Sequence, residues 1–166
     1  MTHDLDDISV YACWTRLNET PEDIARMSMR FMKEFSTRIK TGPWEPLKGE
    51  WDGTEAGLVE VIKRNPITDD DGEPIPGDGY YFTLNNDRGP LNTTFNVSAG
   101  EDRLIERIAS PKFSQDFYHS EHASAGELWD ASVHAAVTAF DPAFVTGQER
   151  AVLRMTRRGR WKISFG

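Results

Sequence analysis

The alternation of apolar and polar residues predicts several β-strands, because successive side chains in a strand point to opposite faces. This alternation runs through residues 8–15, 80–85, 91–98 and 161–165, and shorter apolar runs lie at 104–108 and 152–155. The 80–85 and 91–98 segments flank a turn that contains Gly89 and Pro90. They therefore predict a β-hairpin with one buried and one solvated face.

Two longer segments carry apolar residues at the three- and four-residue spacing of an α-helix. The first starts at residues 20–23, where Thr20 can cap the helix and two acids favour its positive end. Its apolar positions are Ile24, Met27, Phe31, Met32, Phe35 and Ile39. The second opens at the capping box Ser124 to Glu127 and carries Trp129, Val133, Ala136, Val137 and Phe140.

A shorter apolar run lies between these two helices. Asp52 and Glu55 predict the start of a short helix over Leu58 to Ile62, although a run of this length also fits a strand. His134 falls among the apolar positions of the last helix, which predicts a structural histidine. Together these elements predict an α+β fold with a mostly antiparallel sheet and two main helices packed on one face. A length of 166 residues fits a single domain spanning 1–166.

The distribution of charge bears on the class of partner. The formal net charge is −8; residues 66–87 hold six acids and no Lys or Arg, and residues 150–162 hold six basic residues and no acid. Nucleic-acid phosphates require a basic surface, so no nucleic-acid partner is expected. A basic protein is the expected class of partner, because its charge complements that of this acidic chain. The basic run at 157–162 is interpreted as an intramolecular counter-charge or a turn.

The remaining composition predicts a cytoplasmic protein. The start of the chain is acidic and lacks an apolar run, so no secretion signal is expected. No stretch approaches the ~18 apolar residues of a membrane span, so no membrane contact is expected. Cys13 is the only cysteine, which excludes an intrachain disulfide and predicts a buried, inert thiol in a reducing compartment.

One cluster of residues suggests metal chemistry. Asp116, His119 and His122 lie close together in the sequence, and such side chains can bind zinc or another divalent ion. Their segment is predicted to be a polar loop, and it lacks the H-E-x-x-H order and a second ligand set. We therefore expect no enzymatic activity, no metal and no cofactor.

A small metal-dependent enzyme centred on these three residues is one alternative, and an adaptor or ligand-binding module with a pocket lined by the hairpin aromatics is another.

Several short motifs, taken in order, are similar to those of the Imm52 family of bacterial immunity proteins. They are residues 11–14 in the first strand, Gly79-Tyr80, Gly100, residues 139–144 at the end of the last helix, and Trp161. The resemblance implies a protein that binds and neutralises a cognate toxin in the cytoplasm, commonly a nuclease with a restriction-endonuclease-like fold. It implies no catalysis and no cofactor. Occlusion of the toxin's active site and binding away from that site both remain open.

The acidic segment is the predicted partner-binding edge. It comprises Asp69, Asp70, Asp71, Glu73, Asp78 and Asp87. Residues 69–73 do not fit a calcium-binding loop, because Ile67 would occupy the first ligand position. Since residues 66–87 contain no Lys or Arg, these acids are expected to lack a local counter-charge and to project a negative field towards a basic partner. The polar face of the hairpin at Asn92, Thr94 and Asn96 is the alternative surface.

Overall fold

The computed structural model describes residues 3–103, 112–147, 151–155 and 161–165, with side chains described for residues 8–103 and 112–147. Within these residues the chain forms three helices and eight strands. The helices are α1 (Pro21–Ser36), α2 (Glu55–Lys63) and α3 (Ala125–Phe140). The strands are β1 (His3–Cys13), β2 (Glu45–Pro46), β3 (Tyr80–Asn86), β4 (Leu91–Ala99), β5 (Phe113–Ser120), β6 (Phe144–Gly147), β7 (Ala151–Met155) and β8 (Trp161–Phe165).

The described strands form one sheet in the order β2-β3-β4-β5-β1-β6-β7-β8, and all neighbouring pairs are antiparallel. This confirms the α+β fold with a mostly antiparallel sheet, including the predicted hairpin and the two C-terminal strands. Strands β2 and β6 were not predicted. The strand expected at Leu104, Ile105 and Ile108 lies outside the described residues. Within the described part of the chain, no helix is both long and apolar enough to cross a membrane.

Local capping signals define where α1 and α3 begin. The Thr20 side chain accepts a hydrogen bond from the Asp23 amide, while the Asp23 carboxylate accepts one from the Thr20 amide at 3.0 Å. These bonds favour the charged carboxylate and lower the pKa of Asp23. Ser124 and Glu127 form the same reciprocal pair at the start of α3. The predicted cap at Thr20 and the predicted capping box at Ser124 are confirmed, and Asp23 makes the first of them a capping box as well.

The short middle segment is a helix, and its predicted cap is wrong by two residues. Thr54, not Asp52, adopts the extended backbone before α2 and accepts from the Gly57 amide at 3.0 Å. The Asp52 carboxylate instead accepts from the amide and hydroxyl of Thr54, which lowers the pKa of Asp52. Asp52 therefore holds the capping residue in place and does not cap the helix itself.

The helices bury their apolar sides against one face of the sheet. Phe31 of α1 lies at the centre, with its ring centroid 5.1 Å from that of Phe95, 4.7 Å from Phe113 and 5.8 Å from Phe140. These four aromatic side chains are completely buried and join strands β4 and β5 to both long helices. Tilted and edge-on aromatic contacts of this kind stabilise a core beyond the area that they bury.

The buried side of α3 agrees with the predicted one at Ala136 and Phe140, whereas Trp129, Val133 and Val137 are only partly buried. Its fully buried residues are mostly small (Ala131, Ser132, Ala135 and Ala136). Small residues on this side let α1 and α3 approach each other closely. His134 is exposed, so its prediction as a structural core histidine is wrong.

Most of the segment predicted to be a polar loop, 113–124, is strand β5 (Phe113–Ser120) in the middle of the sheet. Phe113, Gln115 and Phe117 alternate towards the core and are buried. Gln115 satisfies both ends of its amide there, because its Nε2 donates to Thr93 at 3.2 Å and its Oε1 accepts from Ser132 at 2.6 Å. The partners that make a buried glutamine acceptable are distant in the sequence, which is why the polar composition misled the prediction.

Candidate functional site

The sheet face opposite the three helices remains uncovered by any described helix, and we call it the open face. It is defined by the strand residues that alternate with the core positions of β1 to β5. Its members are Ser9, Tyr11, Glu45, Tyr81, Thr83, Asn85, Asn92, Thr94, Asn96, Ser98, Ser114, Asp116 and Tyr118, with Leu47 at the β2 edge.

Asn96 is the centre of a hydrogen-bond network on the open face. Its Oδ1 accepts from the Thr83 hydroxyl at 2.5 Å and from the Tyr81 hydroxyl at 3.2 Å. Its Nδ2 donates to Ser114 Oγ at 3.1 Å. One side chain thus links β3, β4 and β5 across the surface, and the network fixes the orientation of the polar groups.

A second set of bonds extends the open face towards β1. The Ser9 hydroxyl donates to the Asp116 carboxylate at 2.5 Å, and the hydroxyls of Thr94 and Tyr118 lie 3.4 Å apart. Asp116 is therefore engaged with a neighbouring strand as a hydrogen-bond acceptor. It lies in the same cross-strand row as Thr94 and Ser9.

Among the described residues, all of the large hydrophobic side chains that are exposed to solvent lie on the open face. Leu47 is 63% exposed, Tyr81 50% and Tyr118 51%. Single exposed apolar residues are ordinary on protein surfaces. Their restriction to one face is informative, because tyrosines that present an apolar ring and a polar hydroxyl are enriched at protein–protein contact centres.

The predicted acidic edge does not form one continuous surface. Residues 69–73 form an ordered turn that is closed by the bridge between Thr68 and Pro74. Asp69 builds this turn, since its Oδ1 accepts from the amides of Asp71 at 3.0 Å and Glu73 at 2.9 Å. Asp70, Asp71 and Glu73 are exposed. We call residues 69–73 the acidic turn.

Asp78 and Asp87 are separated from each other by the whole of β3. Seven residues at 3.2–3.4 Å each place the strand ends roughly 20 Å apart. Asp78 is only 15% exposed and forms an ion pair with Arg103 at 2.6 Å. The predicted lack of a local counter-charge is therefore wrong for Asp78, because its partner is 25 residues away in the sequence. Asp87 lies in the turn between β3 and β4, away from the acidic turn.

The residues of the metal hypothesis are not gathered by the fold. Asp116 lies on the open face, His119 is exposed further along β5, and His122 follows the strand, 3.7 Å from Glu121. Among the described residues, no group of three or more His, Cys, Asp or Glu side chains is placed to hold a metal ion. The register of β5 shifts after Phe117, so that His119 lies opposite Asn92 of β4 and Asp116 lies opposite Thr94.

The hairpin aromatics do not line a ligand pocket of useful size. Phe82 and Phe95 are buried in the core, and the cavity beside Leu47 and Tyr81 has about 120 Å³. Small-molecule sites usually need roughly 300 Å³ or more. A larger cleft of about 400 Å³ lies between the end of α1 and the start of α3, with Arg38, Lys40, His122, Glu127 and Asp130 around it. Its rim carries both signs of charge.

A partly buried charged cluster joins the ends of β1, β4 and β5. The Lys112 ammonium pairs with Glu101 and donates to the Arg16 carbonyl at 3.0 Å. Glu19 accepts from the Trp14 indole N–H at 2.9 Å, and burial raises the pKa of Glu19. Burial also raises the pKa of Cys13, which keeps its thiol protonated and unreactive. This cluster holds structural elements together.

The open face and the acidic turn offer hydrogen bonding, negative charge and aromatic contacts, which are properties of a binding surface. No protein-family model matches this sequence, and no curated protein is significantly similar to it. These two surfaces and the sequence motifs are therefore the basis for assigning a function.

Proposed function

We propose that this chain is an immunity protein that binds a cognate bacterial toxin in the cytoplasm and neutralises it. The motif resemblance to bacterial immunity proteins gives the function class. It also makes a nuclease with a restriction-endonuclease-like fold the expected toxin. A nuclease presents a basic surface to the phosphates of its substrate, and an acidic protein complements that surface.

The observation that carries the proposal is the acidic turn. Asp70, Asp71 and Glu73 are exposed, and no described Lys or Arg forms an ion pair with them. The turn is held by the Asp69 side chain, so the charges are presented on an ordered backbone. Clustered like charges repel one another, and a basic partner relieves that repulsion.

Charge reversal in the acidic turn tests this role. Asp70→Lys with Asp71→Lys removes the negative field and leaves Asp69, which builds the turn, in place. Glu50→Lys with Asp130→Lys is the matched control, because it makes the same change in net charge at exposed sites outside the predicted partner-binding edge. We expect the first variant to associate with the toxin on the order of tenfold more slowly at low salt, with a weaker dependence on salt. Equal association rates for the two variants would show that the acidic turn plays no part in association with the toxin.

A further inference from the structure

We propose that the open face, centred on Tyr81, Asn96 and Tyr118, is the main contact surface for the protein partner. This inference rests on the proposed function and names the surface that carries it. The occupant is a basic protein surface rich in hydrogen-bond donors. The acidic turn then steers the partner, and the open face holds it.

The exposed aromatic and aliphatic side chains supply the first argument. Leu47 and Tyr81 lie close together at the β2–β3 edge, where the Leu47 amide donates to the Thr83 carbonyl at 3.1 Å. Tyr118 lies two strands away, beyond β4. These side chains leave apolar area in water that a partner would cover, and buried tyrosines dominate the affinity of many interfaces.

The rigidity of the face supplies the second argument. Asn96 is held by three hydrogen bonds to side chains on both neighbouring strands. The Tyr81 ring is fixed by the same network through its hydroxyl. A surface whose polar groups are already oriented loses little conformational entropy on binding, so more of each contact contributes to affinity.

Charge complementarity identifies the occupant. The described strand rows of the open face from β2 to β5 contain the carboxylates Glu45 and Asp116 and no Lys or Arg. Glu45 pairs at the rim with Arg88, which is 71% exposed, and Lys48 lines the cavity beside Leu47 and Tyr81. Among the described residues, the exposed acids without an ion pair that adjoin this face are those of the acidic turn, and their charge favours a basic partner.

The acidic turn adjoins this face. Residues 65–67 run beside the start of β3, since the Tyr81 amide donates to the Asn65 carbonyl at 3.0 Å and the Ile67 amide to the Gly79 carbonyl at 2.9 Å. The acidic turn follows directly and therefore flanks the Tyr81 end of the open face. One basic partner can contact both.

The test measures the affinity of purified variants for the candidate toxin domain that the family resemblance implies is encoded beside this chain, inactivated so that it can be expressed. The open-face variants are Tyr81→Ala, Tyr118→Ala and Leu47→Lys. The matched control is His134→Ala, which removes an exposed ring from α3 on the opposite side of the sheet. We expect each tyrosine variant to raise Kd at least tenfold and the control to leave it unchanged.

Leu47→Lys keeps the experiment decisive if a tyrosine variant fails to fold, because this 63% exposed side chain contributes little to the core and a lysine there opposes a basic partner. If the parent binds the toxin domain and all open-face variants bind equally well, the inference is overturned while the proposed function stands. If the parent does not bind, the proposed function fails and the inference fails with it. If the variants change only self-association, measured by light scattering, the face is an interface between copies and the inference is wrong.

Discussion

Replacing Lys112 by Met tests how the charged cluster holds the fold together. The Lys112 side chain is 11% exposed and that of its partner Glu101 is 12% exposed, so their ion pair is largely shielded from water. The Lys112 ammonium also lies 5.8 Å from the centre of the Trp14 ring. Methionine keeps most of the aliphatic stem and removes only the charge and the hydrogen bonds.

The expected cost follows from the burial of the pair. Removing one partner of a buried ion pair leaves the other charge desolvated and costs about 3–5 kcal/mol. For a chain of this size, that corresponds to a fall in Tm of roughly 6–20 °C. The matched control is Lys63→Met, because Lys63 and its partner Glu60 are 49% and 66% exposed. An exposed pair of this kind contributes about 1 kcal/mol or less.

The pH dependence identifies the mechanism. Burial raises the pKa of Glu19 above its ordinary value of 4.5, and the positive charge of Lys112 opposes that rise. Without Lys112 the folded-state pKa of Glu19 rises further. A raised carboxyl pKa stabilises the fold below the unfolded value and loses that stabilisation as the pH rises through the folded value. The deficit of Lys112→Met should therefore be larger at pH 7 than at pH 4.

Urea unfolding followed by circular dichroism at both pH values measures these differences. The reasoning is refuted if Lys112→Met costs no more than Lys63→Met at pH 7. It is also refuted if the cost of Lys112→Met is the same at pH 4 and pH 7.

Two further predictions follow from the structure and the sequence. Gly79→Ala should destabilise the fold by roughly 2 kcal/mol or more in urea unfolding, because Gly79 has a φ of +81° and an added Cβ would collide with the Ala99 carbonyl oxygen. Gly72→Ala, with a φ of +84° and open space around it, isolates the backbone strain and should cost less. The purified protein should contain no stoichiometric metal by mass spectrometry. Near-equimolar zinc or manganese that is lost on replacing His119 and His122 by Ala would instead support the metal-enzyme alternative.

Local signals predicted the elements that are determined locally. The capping boxes at Thr20 and Ser124 and the alternation around the 86–90 turn specify α1, α3 and the β3–β4 hairpin within a few residues. Strand β5 was missed because Gln115 is satisfied by Ser132, a partner on another element. Non-local pairing of this kind leaves no periodic signature in the sequence.

The candidate site shows the same division. The solvated side of the hairpin, with Thr94 and Asn96, was predicted from alternation and forms part of the open face. Tyr118 could not be assigned to it, since its segment was interpreted as a loop. Asp78 pairs with Arg103, which is 25 positions away in the sequence. The prediction therefore counted Asp78 among the unpaired acids of the acidic edge, although it has a counter-charge.

Co-expression with the candidate toxin that the family resemblance implies is encoded in a neighbouring gene tests the central claim most directly. Growth of cells carrying the inducible toxin is measured with and without this chain, and the complex is recovered by affinity purification. We expect full growth and a stoichiometric complex with the parent. Continued killing by the toxin, with no complex recovered from cells that contain the folded chain, would contradict the proposed function.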